Sequence, residues 1–566
     1  MDPSLVQTIF IALPEGTAMR PYLWNEERHE QFTDAGYWAN RTILDYVREV
    51  ADTDPGRVAL VDKRGQYTYG ELVATVEELA RGLASLGVGA GDVIAHQVPN
   101  RNEGAILHLA ALRLGAVINP IVDIYRESEV SYMLEKLGTT VYVAPRTYNG
   151  FDYGEMAVEL LADTPTLDHI VTVDEGMDDP RVTQFGSVIE TGGTLDTDLG
   201  DEMDPNDLSL VQFTSGTTGR PKGGMHTENT LLASQRGQVE LLGLDDDIVF
   251  TPSPIGHLTG IQHGYRLALM LGTTCVFQEA WDPRTALEWI ERESCTYMAG
   301  ATPFVRDLAL SEALEEYDTT SLRQIMTAGA PCPKEVVRTA HENFENLTVS
   351  RGWGQTENTL STLNPPEAPE EKLLETDGKP YGGMEARIRK PGEFEDALPG
   401  EEGELQVRGP FLFLGYFEDR ERTDDSFTDD GWFETGDKAV IDEGGYVTIK
   451  GRIKDIIIRG GENIPVRELE EYLHEHSDIE DAVIVAMPDD RLQERACAYV
   501  IPAAPEDPIS FEELVEYLDS QGIATQKLPE RLELCSEFPM TASGKVQRYK
   551  LREDIADKLG MDSITR

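Results

Sequence analysis

Apolar positions recur along this chain in two alternating rhythms. In TYGELVATVEELARGLASLG (68–87), Leu72, Val73, Val76, Leu79 and Leu83 are spaced by one, three and four residues, the stripe of an amphipathic helix. GDVIAHQVP reads as a strand, and NEGAILHLAALRLGAVINPI as a helix running into a second strand. Such alternation predicts crossover units on a mostly parallel sheet, and so an α/β fold. Gly87-x-Gly89-x-Gly91 precedes a strand, not a helix, and is read as a turn rather than a dinucleotide fingerprint. Past residue 453 the rhythm changes. PVRELEEYLHEH and SFEELVEYLDSQG read as helices, the second opened by Ser510-x-x-Glu513 as a capping box. DAVIVAMP, RACAYVIPA and RLELCSEF read as strands. This mixed order predicts a small α+β domain, with a boundary near GRIKD that divides the chain into 1–452 and 453–566.

Just before that boundary, DKAVIDEGGYVTIKGR has two alternating runs around Gly444-Gly445, the pattern of a β-hairpin. Asp437 and Arg452 lie at equal distances outward from this turn. Antiparallel pairing brings a carboxylate and a guanidinium together at the open end, either as an ion pair or as two groups facing a polyol such as ribose.

Composition narrows the function. A chain of 566 residues with 40% hydrophobic positions has enough apolar material for a large core. It carries 103 acidic against 49 basic residues, a net charge of −54. That excludes the basic footprint of a nucleic-acid-binding protein. The acids are dispersed, as in EYLHEHSDIED, rather than gathered in a tail, which suggests adaptation to high salt; the alternative is an ordinary acidic cytosolic protein. Cys275, Cys295, Cys332, Cys497 and Cys535 are scattered with no Cys-x-x-Cys, against a disulfide framework or a zinc site. MDPSLVQTIFIALPEG lacks a basic flank, and no run of about 18 apolar residues is present. The expectation is a cytoplasmic protein with no integral membrane segment.

The chemistry concentrates first in FTSGTTGRPKG (213–223), directly after the strand-like LSLVQF. Gly216 and Gly219 permit close backbone approach to a ligand. Thr214, Ser215, Thr217 and Thr218 bring hydroxyls, and Lys222 a positive charge. The Walker pattern needs Gly-Lys adjacent, but here Arg220 and Pro221 intervene. Thr227 is placed to cap the next helix, ENTLLASQRG.

This loop resembles the phosphate loop of the acyl-adenylate-forming superfamily, which includes acyl-CoA synthetases and aryl-acid ligases. AGAP (328–331), GWGQTE (352–357), GWFETGD (431–437), GRIKDIIIRGGENI (451–464) and PMTASGK (539–545) follow in the family's order. The resemblance extends from about residue 42 to 550 and implies a large N-terminal domain of layered βαβ subdomains with a β-barrel-like portion, then a small mobile C-terminal domain. It implies ATP, magnesium and coenzyme A as ligands. Residues 214–222 would hold the β- and γ-phosphates as pyrophosphate leaves. AGAP, with Gly329, Ala330 and Pro331, and Gly352-Trp353 would flank adenine, and Gly354 and Gln355 would belong to the same ATP site. Thr356 would lie near the α-phosphate, Glu357 would bind magnesium, and Asp437 and Arg452 would contact ribose. Lys545 matches the catalytic lysine, a cation placed where negative charge grows at the α-phosphate. Lys454 matches the hinge about which the C-terminal domain turns between half-reactions. Gly460, Gly461, Glu462 and Asn463 resemble the loop beside the pantetheine tunnel.

On the acyl side, PIGHLTG (254–260) matches the family's motif. His257 there is either a pocket wall or a packed histidine, and Gly329 stands on the same side. Dihydroxybenzoate-activating relatives carry Asn after that His; this chain has Leu258, which turns the reading away from a hydroxylated ring. RTYNGFDYGEMA (146–157) resembles short- and medium-chain fatty acid and cyclohexanecarboxylate CoA ligases. Only 21 residues follow Lys545, too few for a carrier domain, so coenzyme A is the expected acceptor. The expected enzyme joins a small to medium carboxylic acid to coenzyme A through acyl-AMP. The alternatives are an aryl-acid adenylating enzyme serving coenzyme A or a separate carrier, and a non-catalytic nucleotide-binding relative. A homodimer is left open.

Overall fold

The computed structural model describes residues 21 and 23–563, apart from 178, 215–220, 331, 391–394, 454–456, 460–461, 465, 490–491, 522, 524–526, 542–544 and 562. Two large, mainly parallel sheets form the N-terminal part. The first has seven strands in the spatial order Lys222–Thr227, Leu208–Thr214, Val117–Pro120, Val93–His96, Val141–Ala144, His169–Thr172 and Val182–Gln184. Leu208–Thr214 pairs antiparallel with Lys222–Thr227, where Thr214 faces Lys222 across the ladder. The second sheet has nine strands, and its parallel centre includes Val249–Thr251, Tyr297–Gly300, Gln324–Thr327 and Thr348–Trp353.

The alternation read from the sequence is present. The helix expected over 68–87 spans Tyr69–Ser85, capped by Thr68 with Glu71 in a reciprocal capping box. NEGAILHLAALRL forms the helix Asn102–Leu114, which Gly115 ends in a left-handed conformation. Eleven of its 13 residues are buried, Asn102 and His108 among them: a mainly apolar helix has little surface to give to water. One continuous core takes residues from both sheets, from these helices and from the helix Glu228–Leu242. The three-glycine segment is a turn, with Gly87 and Gly91 both at positive φ, leading into Val93–His96.

The barrel-like portion takes the form of an open four-stranded antiparallel sheet, Glu385–Arg389, Glu402–Arg408, Phe433–Ile441 and Val447–Arg452. Its last two strands are the expected hairpin, and Asp437 pairs with Arg452 in register.

The C-terminal unit is built as read. Its five-stranded sheet comprises Ile457–Arg459, Glu462–Ile464, Ile479–Asp489, Gln493–Pro502 and Arg531–Leu534, with helices Val466–His474, Phe511–Ser520 and Arg548–Leu559. Ser510 and Glu513 form the capping box. This unit docks on the larger one through ion pairs: Arg467 with the buried Asp377 (3.6 Å), Lys334 with Glu475 (2.6 Å) and Arg306 with Glu480 (3.4 Å). All five cysteines are free thiols, and among the described residues no helix is long and apolar enough to cross a membrane.

Candidate active site

A cleft of about 1740 Å³ opens where the two sheets, the hairpin and the C-terminal unit meet. Several elements deliver the sequence-predicted residues to its wall. Thr214 and Lys222 come from the antiparallel pair at the edge of the seven-stranded sheet. Gly329 and Ala330 follow the strand Gln324–Thr327. Gly352 and Trp353 end the neighbouring strand, and Gly354, Gln355, Thr356 and Glu357 continue it. The hairpin gives Asp437 and Arg452, and the C-terminal unit gives Lys545.

The ordering is physical. A side chain on Gly354 would place Cβ 1.9 Å from the Thr359 carbonyl, so only glycine fits. The turn that follows is held by its backbone. His226 donates from Nε2 to the Thr356 carbonyl (2.7 Å), and Phe413 N–H donates to the Glu357 carbonyl (2.7 Å). Burial pushes His226 down to about 4, so it is neutral, and its bond to a carbonyl fixes the proton on Nε2. Lys222, Gly224 and His226 alternate along one strand and share one face. A Cβ on Gly224 would lie 3.5 Å from Thr356 Cγ2, so this face lies against the Thr356–Glu357 turn.

Glu357 is buried in this wall. Its Oε1 pairs with Lys222 Nζ at 2.7 Å and accepts from the Tyr416 hydroxyl at 2.8 Å. Burial raises the carboxyl pKa, but Lys222 and Tyr416 outweigh it and hold Glu357 below the usual carboxylate range.

Asp437 is also buried. Its Oδ2 accepts from Trp353 Nε1 (2.8 Å) and Gln355 Nε2 (3.1 Å), and its Oδ1 pairs with Arg452 Nε (2.7 Å). Burial raises its pKa against the opposing pull of Arg452 and these donors. The ion-pair option for the hairpin ends is therefore realised. Trp353 is nearly enclosed in the core at 8% exposure, with its indole N–H tied to this carboxylate.

Lys545 is tied to Thr541, whose Oγ1 accepts the Lys545 N–H (2.9 Å). Its Cε comes within 3.6 Å of the point where a Gly329 Cβ would stand. Gly329 itself has φ +89°. Burial lowers the Lys545 pKa, helped by Arg452 and opposed by Asp437 and Glu357.

On the acyl side, His257 lines the cleft and Leu258 packs into the core instead. Burial, with the charge of Lys545 nearby, pushes His257 down to about 3. Its Nδ1 accepts from the Thr259 N–H (3.2 Å), so it is a neutral wall rather than a cation. Ser215, Gly216, Thr217, Thr218, Gly219, Pro331, Lys454, Gly460 and Gly461 lie outside the described residues. Glu462 and Asn463 are in the strand Glu462–Ile464, opposite Arg459 and Ile458. Tyr416, His226 and Gln212 were not singled out by sequence. Gln212 lines the cleft, bonded to the carbonyls of Pro120 and Gly256. No spacing rule points to any of the three.

Comparison with known proteins agrees in extent with this architecture. Residues 47–417 match the AMP-binding enzyme family, and residues 468–545 match the AMP-binding enzyme C-terminal domain. The chain is 35% identical over 541 residues to the medium-chain fatty-acid–CoA ligase of Escherichia coli (strain K12), covering 95% of each. It is 30% identical over 539 residues to the 2,3-dihydroxybenzoate-AMP ligase of Bacillus subtilis (strain 168), covering 95% of this chain and 98% of that one. Among solved structures, ATP-bound MatB from Rhodopseudomonas palustris superposes with a TM-score of 0.82 at 26% identity, over 91% of this chain and 99% of that one. The chain belongs to the AMP-binding enzyme family.

Proposed function

We propose that this enzyme activates a small to medium carboxylic acid, fatty or alicyclic, as acyl-AMP with release of pyrophosphate, and then transfers the acyl group to coenzyme A. The observation that carries the reading is the convergence in one cleft of Lys545 from the C-terminal unit with Glu357, Asp437 and Lys222 from the N-terminal part. In the first step the substrate carboxylate attacks the α-phosphorus of ATP, the α–β bridging bond breaks, and pyrophosphate leaves. The developing charge needs a fixed cation and no proton transfer. Lys545 suits that role, and its lowered pKa reflects a desolvated ammonium, which interacts more strongly with phosphate oxygens than one in water.

Magnesium fits the donor set. Among the described residues no group of three or more metal-binding side chains is present, so the protein offers one carboxylate, Glu357, and phosphate oxygens and water would complete the shell, as Mg²⁺ prefers. The Asp437 carboxylate has room for ribose. Oδ2 already accepts two N–H groups and Oδ1 one, which leaves one lone pair for a sugar hydroxyl.

We assign the boundary between the units to residue 452/453 and the hinge to Lys454. Turning there would withdraw Lys545 and bring the Arg459–Asn463 segment, with Gly460 and Gly461, toward the acyl-adenylate, where coenzyme A attacks. Leu258 packs into the core where dihydroxybenzoate-activating relatives carry Asn, which supports an aliphatic or alicyclic acid over dihydroxybenzoate. The need for ATP and coenzyme A is consistent with work in the cytoplasm, and the net charge of −54 supports a salt-rich interior. The test is a screen of acids of graded length, rings included, in molar KCl, with AMP formation measured with and without coenzyme A. Acid-dependent AMP and thioester are expected; no acid-dependent pyrophosphate from any acid would overturn the proposal.

A further inference from the structure

Tyr416 lies outside every motif read from the sequence, yet it touches both charged groups at the floor of the cleft. Residues 414–417 run alongside the strand Lys222–Thr227. Leu414 N–H donates to the Met225 carbonyl (2.9 Å), Met225 N–H to the Gly415 carbonyl (3.0 Å), and Phe417 N–H to the Gly223 carbonyl (2.8 Å). Gly224 and Tyr416 form the bridge between them. The Tyr416 N–H is held by Thr423 Oγ1 at 2.9 Å. The ring is 1% exposed and packs edge-on against Phe413, with centroids 4.8 Å apart. Backbone and ring are thus both fixed.

The hydroxyl closes a triangle. Lys222 Nζ donates to Tyr416 Oη (2.5 Å), Tyr416 donates to Glu357 Oε1 (2.8 Å), and Lys222 Nζ reaches the same Oε1 (2.7 Å). The directions follow from chemistry: an ammonium only donates and a carboxylate only accepts, so the hydroxyl accepts from one and donates to the other. Both side-chain contacts fall on one oxygen. A lysine alone is a poor positioning device, because its four-carbon stem is flexible, and the Lys222 side chain is 25% exposed. The phenol is rigid. It fixes the torsion of Glu357 and the place of Lys222 together.

We infer that Tyr416 is a positioning residue which clamps Oε1 of Glu357 against Lys222 and so presents Oε2 to a divalent cation in the cleft. This rests on the reading of Glu357 as the magnesium-binding carboxylate. Tyr416 acts on the cation through Glu357. Its effect is to remove the freedom that a long carboxylate side chain would otherwise lose on metal binding, which is how outer partners of metal ligands raise affinity.

The experiment uses the full-length enzyme and three proteins: wild type, Tyr416→Phe and Glu357→Gln. Mn²⁺ is titrated in the presence of a non-hydrolysable ATP analogue, and free Mn²⁺ is read by electron paramagnetic resonance. In parallel, the Mg²⁺ dependence of acid-dependent pyrophosphate exchange, the KM for the acid and the thermal midpoint are measured. Tyr416→Phe should weaken Mn²⁺ binding about tenfold and raise the Mg²⁺ requirement by the same factor, with the KM for the acid unchanged. Glu357→Gln should weaken Mn²⁺ binding more. If Glu357→Gln binds Mn²⁺ like wild type, the metal assignment itself fails. If Glu357→Gln loses Mn²⁺ and Tyr416→Phe does not, the metal assignment stands and the positioning role is overturned. A lower thermal midpoint for Tyr416→Phe with unchanged Mn²⁺ affinity also overturns it, by reducing Tyr416 to packing.

Discussion

Replacing Asp437 by alanine and by asparagine separates two things that this carboxylate does. In the native protein it accepts the Trp353 and Gln355 N–H groups on Oδ2 and pairs with Arg452 through Oδ1. Alanine leaves the Trp353 N–H buried without its acceptor, at a cost of about 1–3 kcal/mol. Gln355 loses less, because its Nε2 keeps the Thr435 carbonyl at 2.9 Å. The Arg452 side chain is 46% exposed, so water replaces its partner and the loss is about 0–1 kcal/mol. Burial raises the Asp437 pKa, so removing the charge returns part of this. The net expectation is a loss of about 1–3 kcal/mol for Asp437→Ala. Asparagine keeps an acceptor oxygen for Trp353 and relieves the desolvation, so about 1 kcal/mol should be lost, mainly at Arg452. Urea unfolding followed by tryptophan fluorescence reads the difference as a shift in midpoint at constant slope. Equal losses in the two variants would refute the reasoning, because charge rather than a hydrogen-bond acceptor would then be the stabilising element. If the fold of Asp437→Ala is intact in cold dilute urea, its ATP affinity should also fall, and that of Asp437→Asn less.

Lys545→Ala should cut acid-dependent pyrophosphate exchange by about 100- to 1,000-fold while thioester formation from supplied acyl-AMP continues; equal loss in both half-reactions would contradict the hinge assignment. Raising KCl from 0.1 to about 1 M shortens the screening length from about 10 to about 3 Å, so the melting midpoint of this chain of net charge −54 should rise; a midpoint that falls or stays level would sink the salt-adaptation reading. His96, His108, His226 and His263 are buried, and burial holds all four pKa values below 6.5, to about 4 for His96 and His226 and about 3 for His263. The unfolded chain therefore binds more protons below pH 6.5, and stability present above that pH is lost toward pH 4. Four such groups give a slope of about 5 kcal/mol per pH unit between about 6 and 4; circular dichroism should show unfolding in that window, and a protein folded at pH 4 would refute the linkage.

Much of the fold was legible because its signals are local. The Ser510–Glu513 capping box, the Thr227 cap, the helix Asn102–Leu114 and the hairpin register of Asp437 with Arg452 are each set by residues close together along the chain. The site motifs could be read for the same reason: each is a short stretch whose glycines and hydroxyls have a local geometric purpose. Gly354 is an example, since only the absence of Cβ lets the Thr359 carbonyl approach.

What sequence alone determined is therefore the elements, their order and the chemistry carried by each motif. Tertiary structure decided how those chemistries meet. The hairpin pairing brings Asp437 and Arg452 together, and packing adds Trp353 and Gln355 as donors to the same carboxylate. Leu258, next to a wall residue, went to the core. Tyr416 reaches Glu357 across 59 positions and Lys222 across 194, and a contact made over such separations depends on how sheets stack, which no local pattern encodes. The periodicity of a segment fixes which face is buried; which distant side chain that face meets is settled only when the whole core closes.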